Sequence, residues 1–174
     1  MKIIGHHAAG AVLLEMCVDS VDAAVAAEAG GADRVELCAN LLEGGTTPSP
    51  GTMALACERL GIPVNVIVRP RGGDFLYTDA EFEVMRRDVL AAREAGASGV
   101  VIGLLTADGD VDAARTADLI ALARPLSVTF HRAFDMARDP HAALDSLLDL
   151  GVDRLLTSGQ EATALEGLDL IADL

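Results

Sequence analysis

Charged and polar side chains recur at the predicted strand ends of this 174-residue chain. Side chains two residues apart in a strand share a face, which groups Glu15 with Cys17 on a first strand and Glu36 with Cys38 on a second. His131 ends a later strand of sequence SVTFH. Carboxylates and histidine exchange protons near neutral pH when their surroundings adjust them. We therefore interpret Glu15, Glu36 and His131 as candidate catalytic residues.

Arginines supply a second kind of chemistry. The segment 63–74, PVNVIVRPRGGD, starts as a strand of alternating valines and ends as a loop that carries Arg69 and Arg71. Arg132 follows the SVTFH strand directly, and Asn40 lies in a turn-rich loop after the second strand. Because a guanidinium binds carboxylate or phosphate through two parallel hydrogen bonds, the three arginines are candidate ligands of a small anionic metabolite. Asn40 is a fourth candidate ligand of the same molecule.

Both groups have a structural alternative. Glu15, Glu36, Arg34 and Arg69 could neutralise one another in an ion network, because buried charges are costly unless they are paired. His131 could equally be a core histidine whose hydrogen bonds are satisfied. The residues alone leave these alternatives open.

Cys17 and Cys38 form a third candidate site. They are predicted at matching positions near the ends of adjacent parallel strands, and two thiolates there could bind a soft metal such as Cu(I). The alternative is a pair of small buried residues, since free cysteine is commonly buried. Three cysteines without disulfide spacing are also typical of a reducing cytosol.

Six strand–helix units are predicted to position these residues. Helix starts are indicated by Ser20, by the capping-box segment 78–81 and by Asp139-Pro140, and the last helix is expected from about Ala162. A helix end, a tight turn and a new strand recur at 29–35, 95–100 and 150–155. This repetition favours a TIM (β/α) barrel over a doubly wound sheet. Strands are expected at 12–18, 34–38, within 63–74, and at 98–103, 127–131 and 153–157.

Composition excludes several classes of function. The 13 basic and 27 acidic residues give a net charge of −14, which argues against binding to nucleic acid or to an anionic membrane. No apolar run reaches the roughly 18 residues needed to span a bilayer. Lys2 is the only lysine, so a Schiff base on a core lysine is excluded. Residues 1–11 are predicted to be a flexible extension.

Several segments together resemble the CutC family, described as copper homeostasis proteins. The resemblance extends from residue 13 onward, and its most specific motifs are RPRGGDF at 69–75 and HRAFD at 131–135. It implies a TIM barrel, a cytoplasmic location, a homo-oligomer and a role in copper handling. The other matching segments are 13–51, 99–112, 124–140 and 151–159.

The chain departs from the family pattern in two places. A family barrel continues with strands seven and eight, whereas this sequence ends after the sixth helix, and residues 157–160 read TSGQ where members have TSGG. The expected fold is therefore an incomplete barrel over 12–174, with six of eight βα units. Three functions are compatible with it: Cu(I) binding through Cys17 and Cys38, an enzyme acting on a small anionic substrate, or an inactive barrel.

Overall fold

The sheet contains six parallel strands in chain order, each hydrogen-bonded to the next in sequence. The computed structural model describes residues 12–174, so the predicted extension at 1–11 lies outside the described residues. The sheet curls into a partial barrel, which confirms the predicted fold with six βα units. The strands are β1 (Glu15–Val18), β2 (Arg34–Leu37), β3 (Val64–Ile67), β4 (Gly99–Ile102), β5 (Ser127–Phe130) and β6 (Arg154–Leu155).

Five of the six α-helices in the described residues begin where the sequence supplies a side chain that caps them. The Ser20 hydroxyl accepts a hydrogen bond from the N–H of Ala23, and Thr78 and Glu81 form the predicted capping box. Asp139 caps the helix that starts at Pro140. The helices are α1 (Val21–Ala29), α2 (Pro50–Arg59), α3 (Asp79–Glu94), α4 (Ala113–Ala123), α5 (Pro140–Leu150) and α6 (Leu168–Asp173), with 3-10 helices at Leu41–Glu43 and Arg132–Met136.

The main core lies between the outer face of the sheet and the helices. Leu37, Val66 and Ile102 point to this side and are fully buried, together with Met53 of α2 and Leu119 of α4. Burying one such side chain contributes about 1.5–3 kcal/mol, so the outer face supplies most of the stability. The inner face is consequently free to carry polar groups.

The alternate strand residues point inward, and several of them are polar. Glu36, Asn65 and Thr129 are buried on this side, and Arg69 and His131 follow at the ends of β3 and β5. The sheet therefore has an apolar outer surface that packs against helices and a polar inner surface. This second surface holds the candidate site.

The largest differences from the sequence-based boundaries lie in the first strand, the last strand and the last helix. β1 begins at Glu15 rather than 12, and β6 is only Arg154–Leu155, because each pairs with one neighbour only among residues 12–174. The expected start of the last helix at Ala162 is wrong, since α6 begins at Leu168. A Cβ on Gly167 would lie 1.9 Å from the carbonyl oxygen of Ser158. Gly167 therefore packs directly against the backbone of Ser158, just after β6. The chain returns to this point before the last helix begins.

No helix in the described part of the chain combines the length and the apolar character that crossing a bilayer requires.

Candidate functional site

A small cavity opens at the C-terminal ends of the strands, where barrel enzymes place their active sites. Its volume is about 160 Å³. It brings together four of the predicted catalytic or binding residues and cysteines from two neighbouring strands. The lining residues are Cys17, Glu36, Cys38, Leu41, Gly44, Ile67, Arg69, Phe75, His131, Arg132 and Leu156.

Arg69 is a buried cation held by backbone oxygens. Its Nη1 donates to the carbonyls of Glu43 at 2.7 Å and Gly45 at 3.0 Å, and its Nη2 donates to the carbonyl of Gly73 at 2.8 Å. Among residues 12–174 its Nε has no partner, and no carboxylate pairs with it. A buried charge without a counter-charge is costly. The guanidinium is therefore suited to an anionic ligand.

Glu36 supplies a carboxylate to the same cavity. Its side chain is buried, the Cys38 thiol lies 3.5 Å from Oε1, and Oε2 has no partner among the described residues. Burial raises the pKa of Glu36 to about 7, and the negative charge of Glu15 acts in the same direction. A carboxylate with this pKa exchanges protons efficiently near neutral pH.

His131 is a neutral imidazole in the wall of the cavity. Its Nδ1 accepts a hydrogen bond from the N–H of Ala133 at 3.1 Å, and its Nε2 is buried without a partner among residues 12–174. Burial lowers the pKa of His131 to about 3, with a further contribution from the charge of Arg69. It therefore stays uncharged at neutral pH.

Cys17 and Cys38 lie side by side at the cavity rim. Cys17 pairs with Glu36 across β1 and β2, and Cys38 follows two residues later on the same face. A hydrogen bond from Cys38 lowers the pKa of Cys17, which is exposed. The same contact and burial raise the pKa of Cys38 well above its ordinary range. The two thiols are within reach of one ligand.

Glu15 belongs to a separate layer of polar contacts nearer the start of the strands. It forms an ion pair with Arg34 and accepts a hydrogen bond from Asn65 at 3.3 Å, and it is not among the cavity-lining residues. The structural alternative therefore describes Glu15 and Arg34. It does not describe Arg69, which takes no part in this ion pair.

Arg71 and Asn40 do not line the cavity. Arg71 pairs with Glu81 at 2.6 Å and with Asp74 at 3.0 Å, so its guanidinium is already neutralised. Asn40 is exposed and adopts a left-handed conformation with φ of 51° before the 3-10 helix at Leu41–Glu43. Both shape the loops around the site and neither reaches the cavity.

Arg132 lines the cavity from a loop that Asp135 organises. Asp135 accepts hydrogen bonds from Arg132 Nε at 2.7 Å, from the Thr157 hydroxyl at 2.5 Å and from the N–H groups of Ser158 and Gln160. Burial opposes ionisation of Asp135, but these hydrogen bonds prevail and lower its pKa. The HRAFD motif thus joins the β5 loop to the β6 loop.

Two site residues were missed by sequence reasoning. The Phe75 ring lies 5.1 Å from the His131 ring and 5.0 Å from the Arg69 guanidinium carbon. A Cβ on Gly103 would lie 2.2 Å from His131 Cε1, so only glycine leaves room for the imidazole. Gly103 had a usable signal, because a glycine at a strand end often marks a close approach.

A larger cleft of about 500 Å³ lies on the other side of Phe75. Its lining is mostly apolar and includes Leu76, Leu105 and Met136. Asp74 is the ionisable residue in that lining, and it is paired with Arg71. The smaller cavity is therefore the stronger candidate for chemistry.

Within residues 12–174, no cluster of three or more His, Cys, Asp or Glu side chains is arranged to hold a metal ion. The adjacent thiols of Cys17 and Cys38 can supply two soft ligands, a set that fits Cu(I) better than harder metals. His131 Nε2 is poorly placed to add a third, because its Nδ1 accepts a hydrogen bond and the ring proton is then on Nε2.

Comparison with known proteins places this chain in a family. Residues 12–174 match the family model described as the CutC family. The copper homeostasis protein cutC homolog of Mus musculus is 59% identical over 162 residues, covering 93% of this chain and 60% of the relative. A CutC family protein of Chromobacterium violaceum is 58% identical, with coverages of 93% and 66%. The chain thus spans about three-fifths to two-thirds of the length of these relatives.

Solved structures agree with this family assignment. CutC from Streptococcus agalactiae superposes with a TM-score of 0.88 at 35% identity, covering 94% of this chain and 81% of that one. A 2,3-dimethylmalate lyase shares the fold alone, with a TM-score of 0.66 at 15% identity and coverages of 93% and 62%. The family match over residues 12–174, the identity to the curated relatives and the superposition on a solved member lead to one conclusion: this chain belongs to the CutC family, whose named members include copper homeostasis proteins.

Proposed function

We propose that this chain carries the site of an acid–base enzyme that acts on a small anionic metabolite. One observation supports the proposal above all others: three buried side chains line one small cavity, and each has a polar atom without a partner among the described residues. These atoms are Glu36 Oε2, Arg69 Nε and His131 Nε2.

Arg69 and Glu36 have complementary tasks. Arg69 attracts the anion, since its positive charge is buried and unpaired with any carboxylate in the described part of the chain. Glu36 is the base, because its pKa lies near neutral pH. Arg132 lines the rim, where Asp135 balances its charge and its Nη1 makes no hydrogen bond to residues 12–174.

A panel of small carboxylates and phosphates tests anion binding through the melting temperature. We expect at least one compound to raise it, because a ligand at 100 times its Kd stabilises the folded state by about 2.7 kcal/mol. Arg132→Gln should reduce this stabilisation. Arg138→Gln is the matched control, since Arg138 pairs with Asp110 and does not line the cavity. Failure of every compound, or an equal loss in both variants, would contradict the proposal.

Cu(I) binding through Cys17 and Cys38 is the second candidate function. It is supported by the contact between the two thiols and by the names of the mouse relative and others in the family. The lowered pKa of Cys17 favours the thiolate that a soft metal requires. A cytoplasmic location, proposed from the same resemblance, would keep both thiols reduced.

Titration of the reduced protein with Cu(I) against a competing chelator tests this candidate. We expect Cys17→Ser combined with Cys38→Ser to lower the affinity at least tenfold. Cys57→Ser is the matched control, because Cys57 lies on α2 and outside the cavity. Equal affinity of the double variant and the unaltered chain would rule out these two ligands.

We also propose that the 174-residue chain forms a homo-oligomer. The outer edges of β1 and β6 have no strand partner among residues 12–174, and Met16 and Leu156 beside them are about 40% exposed. Unpaired edges with apolar side chains associate readily. The net charge of −14 opposes association.

Light scattering at low and high salt tests the oligomer. We expect association to increase with salt, because the repulsion is screened beyond about 8–10 Å at 0.1–0.15 M. Met16→Glu, which puts a charge beside the β1 edge, should decrease it, whereas Leu42→Glu, at a fully exposed position outside the strands, should not. A monomer that is insensitive to salt would show that the open edges are harmless.

A further inference from the structure

His131 is fixed as a hydrogen-bond donor. A ring nitrogen that accepts a hydrogen bond carries no proton, and Nδ1 accepts from the N–H of Ala133. The proton of the neutral ring is therefore on Nε2, which is buried at the cavity without a partner among residues 12–174. Because burial and Arg69 keep the ring uncharged, His131 can donate to a ligand but cannot act as an imidazolium acid.

The donor is also held in a fixed orientation. Phe75 packs against one side of the imidazole at 5.1 Å between ring centroids, and Phe130 lies at 6.1 Å. On the Gly103 side the backbone approaches so closely that a Cβ there would lie 2.2 Å from Cε1. Donors that are preorganised in this way stabilise a negative oxygen that forms during a reaction, because they need no rearrangement at that moment.

A base and a cation complete the arrangement. Glu36 Oε2 is the unpartnered carboxylate oxygen of the cavity, while Oε1 is held near the Cys38 thiol. Arg69 provides the buried positive charge. A base, a neutral donor and an anion-binding cation are together the groups needed to remove a proton from a carbon next to a carbonyl.

We propose that the cavity binds a small carbonyl compound that carries a carboxylate or phosphate, and that it catalyses formation of its enolate. Arg69 binds the anionic group, His131 Nε2–H donates to the carbonyl oxygen, and Glu36 takes a proton from the neighbouring carbon. This inference rests on the proposed acid–base enzyme and specifies its substrate class.

The step is balanced without a co-reactant. Glu36 forms an O–H bond to the proton as the C–H bond breaks, and that electron pair becomes the C=C bond of the enolate. The π electrons of the carbonyl move to its oxygen, which His131 stabilises. Return of a proton from Glu36 to the carbon regenerates the carbonyl, and exchange of the Glu36 proton with solvent introduces deuterium in D₂O.

The size of the cavity limits the substrate. A volume of about 160 Å³ corresponds to roughly five water molecules at about 30 Å³ each, which suits a compound of three or four carbons. Pyruvate, 2-oxobutyrate and dihydroxyacetone phosphate are therefore suitable probes. Each has an exchangeable C–H beside its carbonyl.

Proton NMR in D₂O tests the inference directly. We expect the chain to accelerate loss of the C–H signal of at least one probe above the rate in buffer, and Glu36→Gln to slow this exchange at least 100-fold. His131→Phe keeps an aromatic ring but removes the donor, and should cost a similar factor. His141→Gln, at an exposed position on α5 outside the cavity, should accelerate exchange of the probe as much as the unaltered chain does.

Absence of exchange with all three probes, or an equal rate in Glu36→Gln, would overturn the inference. If small anions still stabilised the protein in the melting experiment, the proposed enzyme would survive that result; if they did not, both proposals would fail.

Discussion

Glu36→Gln is expected to stabilise the folded chain by about 3 kcal/mol at pH 8 and to change its stability little at pH 4.5. Burial raises the pKa of Glu36 from the ordinary 4.5 to about 7, and one pKa unit corresponds to about 1.4 kcal/mol. The unfolded chain therefore ionises Glu36 at lower pH than the folded chain does. Folding stability falls between pH 4.5 and 7, and the full penalty is present above 7.

Glutamine has the shape of the protonated acid and no charge, so the substitution removes the penalty without emptying the site. Urea unfolding at pH 4.5 and pH 8 measures the difference. Glu58→Gln is the matched control, because Glu58 is exposed on α2 and outside the cavity. An equal effect of Glu36→Gln at both pH values would show that Glu36 is ionised without cost. The elevated pKa proposed for the base would then be wrong.

A loss of folding stability from ionising a buried carboxylate is typical of a side chain that serves function rather than folding. A carboxylate that serves only the fold would gain stability from a paired arginine, as Glu15 does with Arg34. Glu36 instead has an unpartnered oxygen, and it lies close enough to Glu15 for that charge to raise its pKa. Perturbed groups of this kind cluster at active sites.

The alternation of strand residues predicted much of this site. It placed Glu36 and Cys38 on one face of the second strand, and it placed His131 at the end of the fifth, where the structure has them. Alternation does not extend to Arg71, which was predicted in the loop after this strand and does not line the cavity. The strand ends at Ile67, so alternation no longer governs where the chain points two residues beyond Arg69.

Other features depend on contacts that no local pattern contains. Phe75 reaches His131 because the loop after β3 folds back over the sheet, and Asp135 collects hydrogen bonds from residues more than 20 positions away. The exposure of Cys17 follows from the position of β1 at the edge of the sheet. Local sequence predicts the elements, whereas these features arise from how the loops pack on one another.

Arg69→Met is expected to destabilise the chain by about 1–3 kcal/mol and to abolish anion binding. Arg69 satisfies the carbonyls of Glu43 and Gly45 in the β2 loop and of Gly73 in the β3 loop. Glu43 and Gly73 lie at exposed positions, so water can replace Arg69 at their carbonyls. The loss is therefore set mainly by the buried carbonyl of Gly45, because a buried acceptor left without a donor costs about 1–3 kcal/mol. The side-chain link between the two loops would be lost, whereas the hydrogen bond from the Arg69 N–H to the Thr47 hydroxyl at 2.9 Å would remain.

A further substitution, Arg69→Lys, separates the charge of the guanidinium from its hydrogen-bonding geometry. Arg69→Lys keeps the charge but has a single nitrogen, which cannot reach carbonyls on both loops, so we expect most of the stability loss and weak residual anion binding. Arg87→Met is the matched control, because the Arg87 side chain is 77% exposed and, among residues 12–174, pairs only with Glu83 on α3. Its loss should cost no more than about 0.5 kcal/mol. Urea unfolding with and without 50-fold excess of a ligand from the anion panel measures both quantities. Full stability of Arg69→Met would mean that the two loops keep their positions without the Arg69 side-chain hydrogen bonds. Undiminished anion binding would mean that the ligand binds away from Arg69.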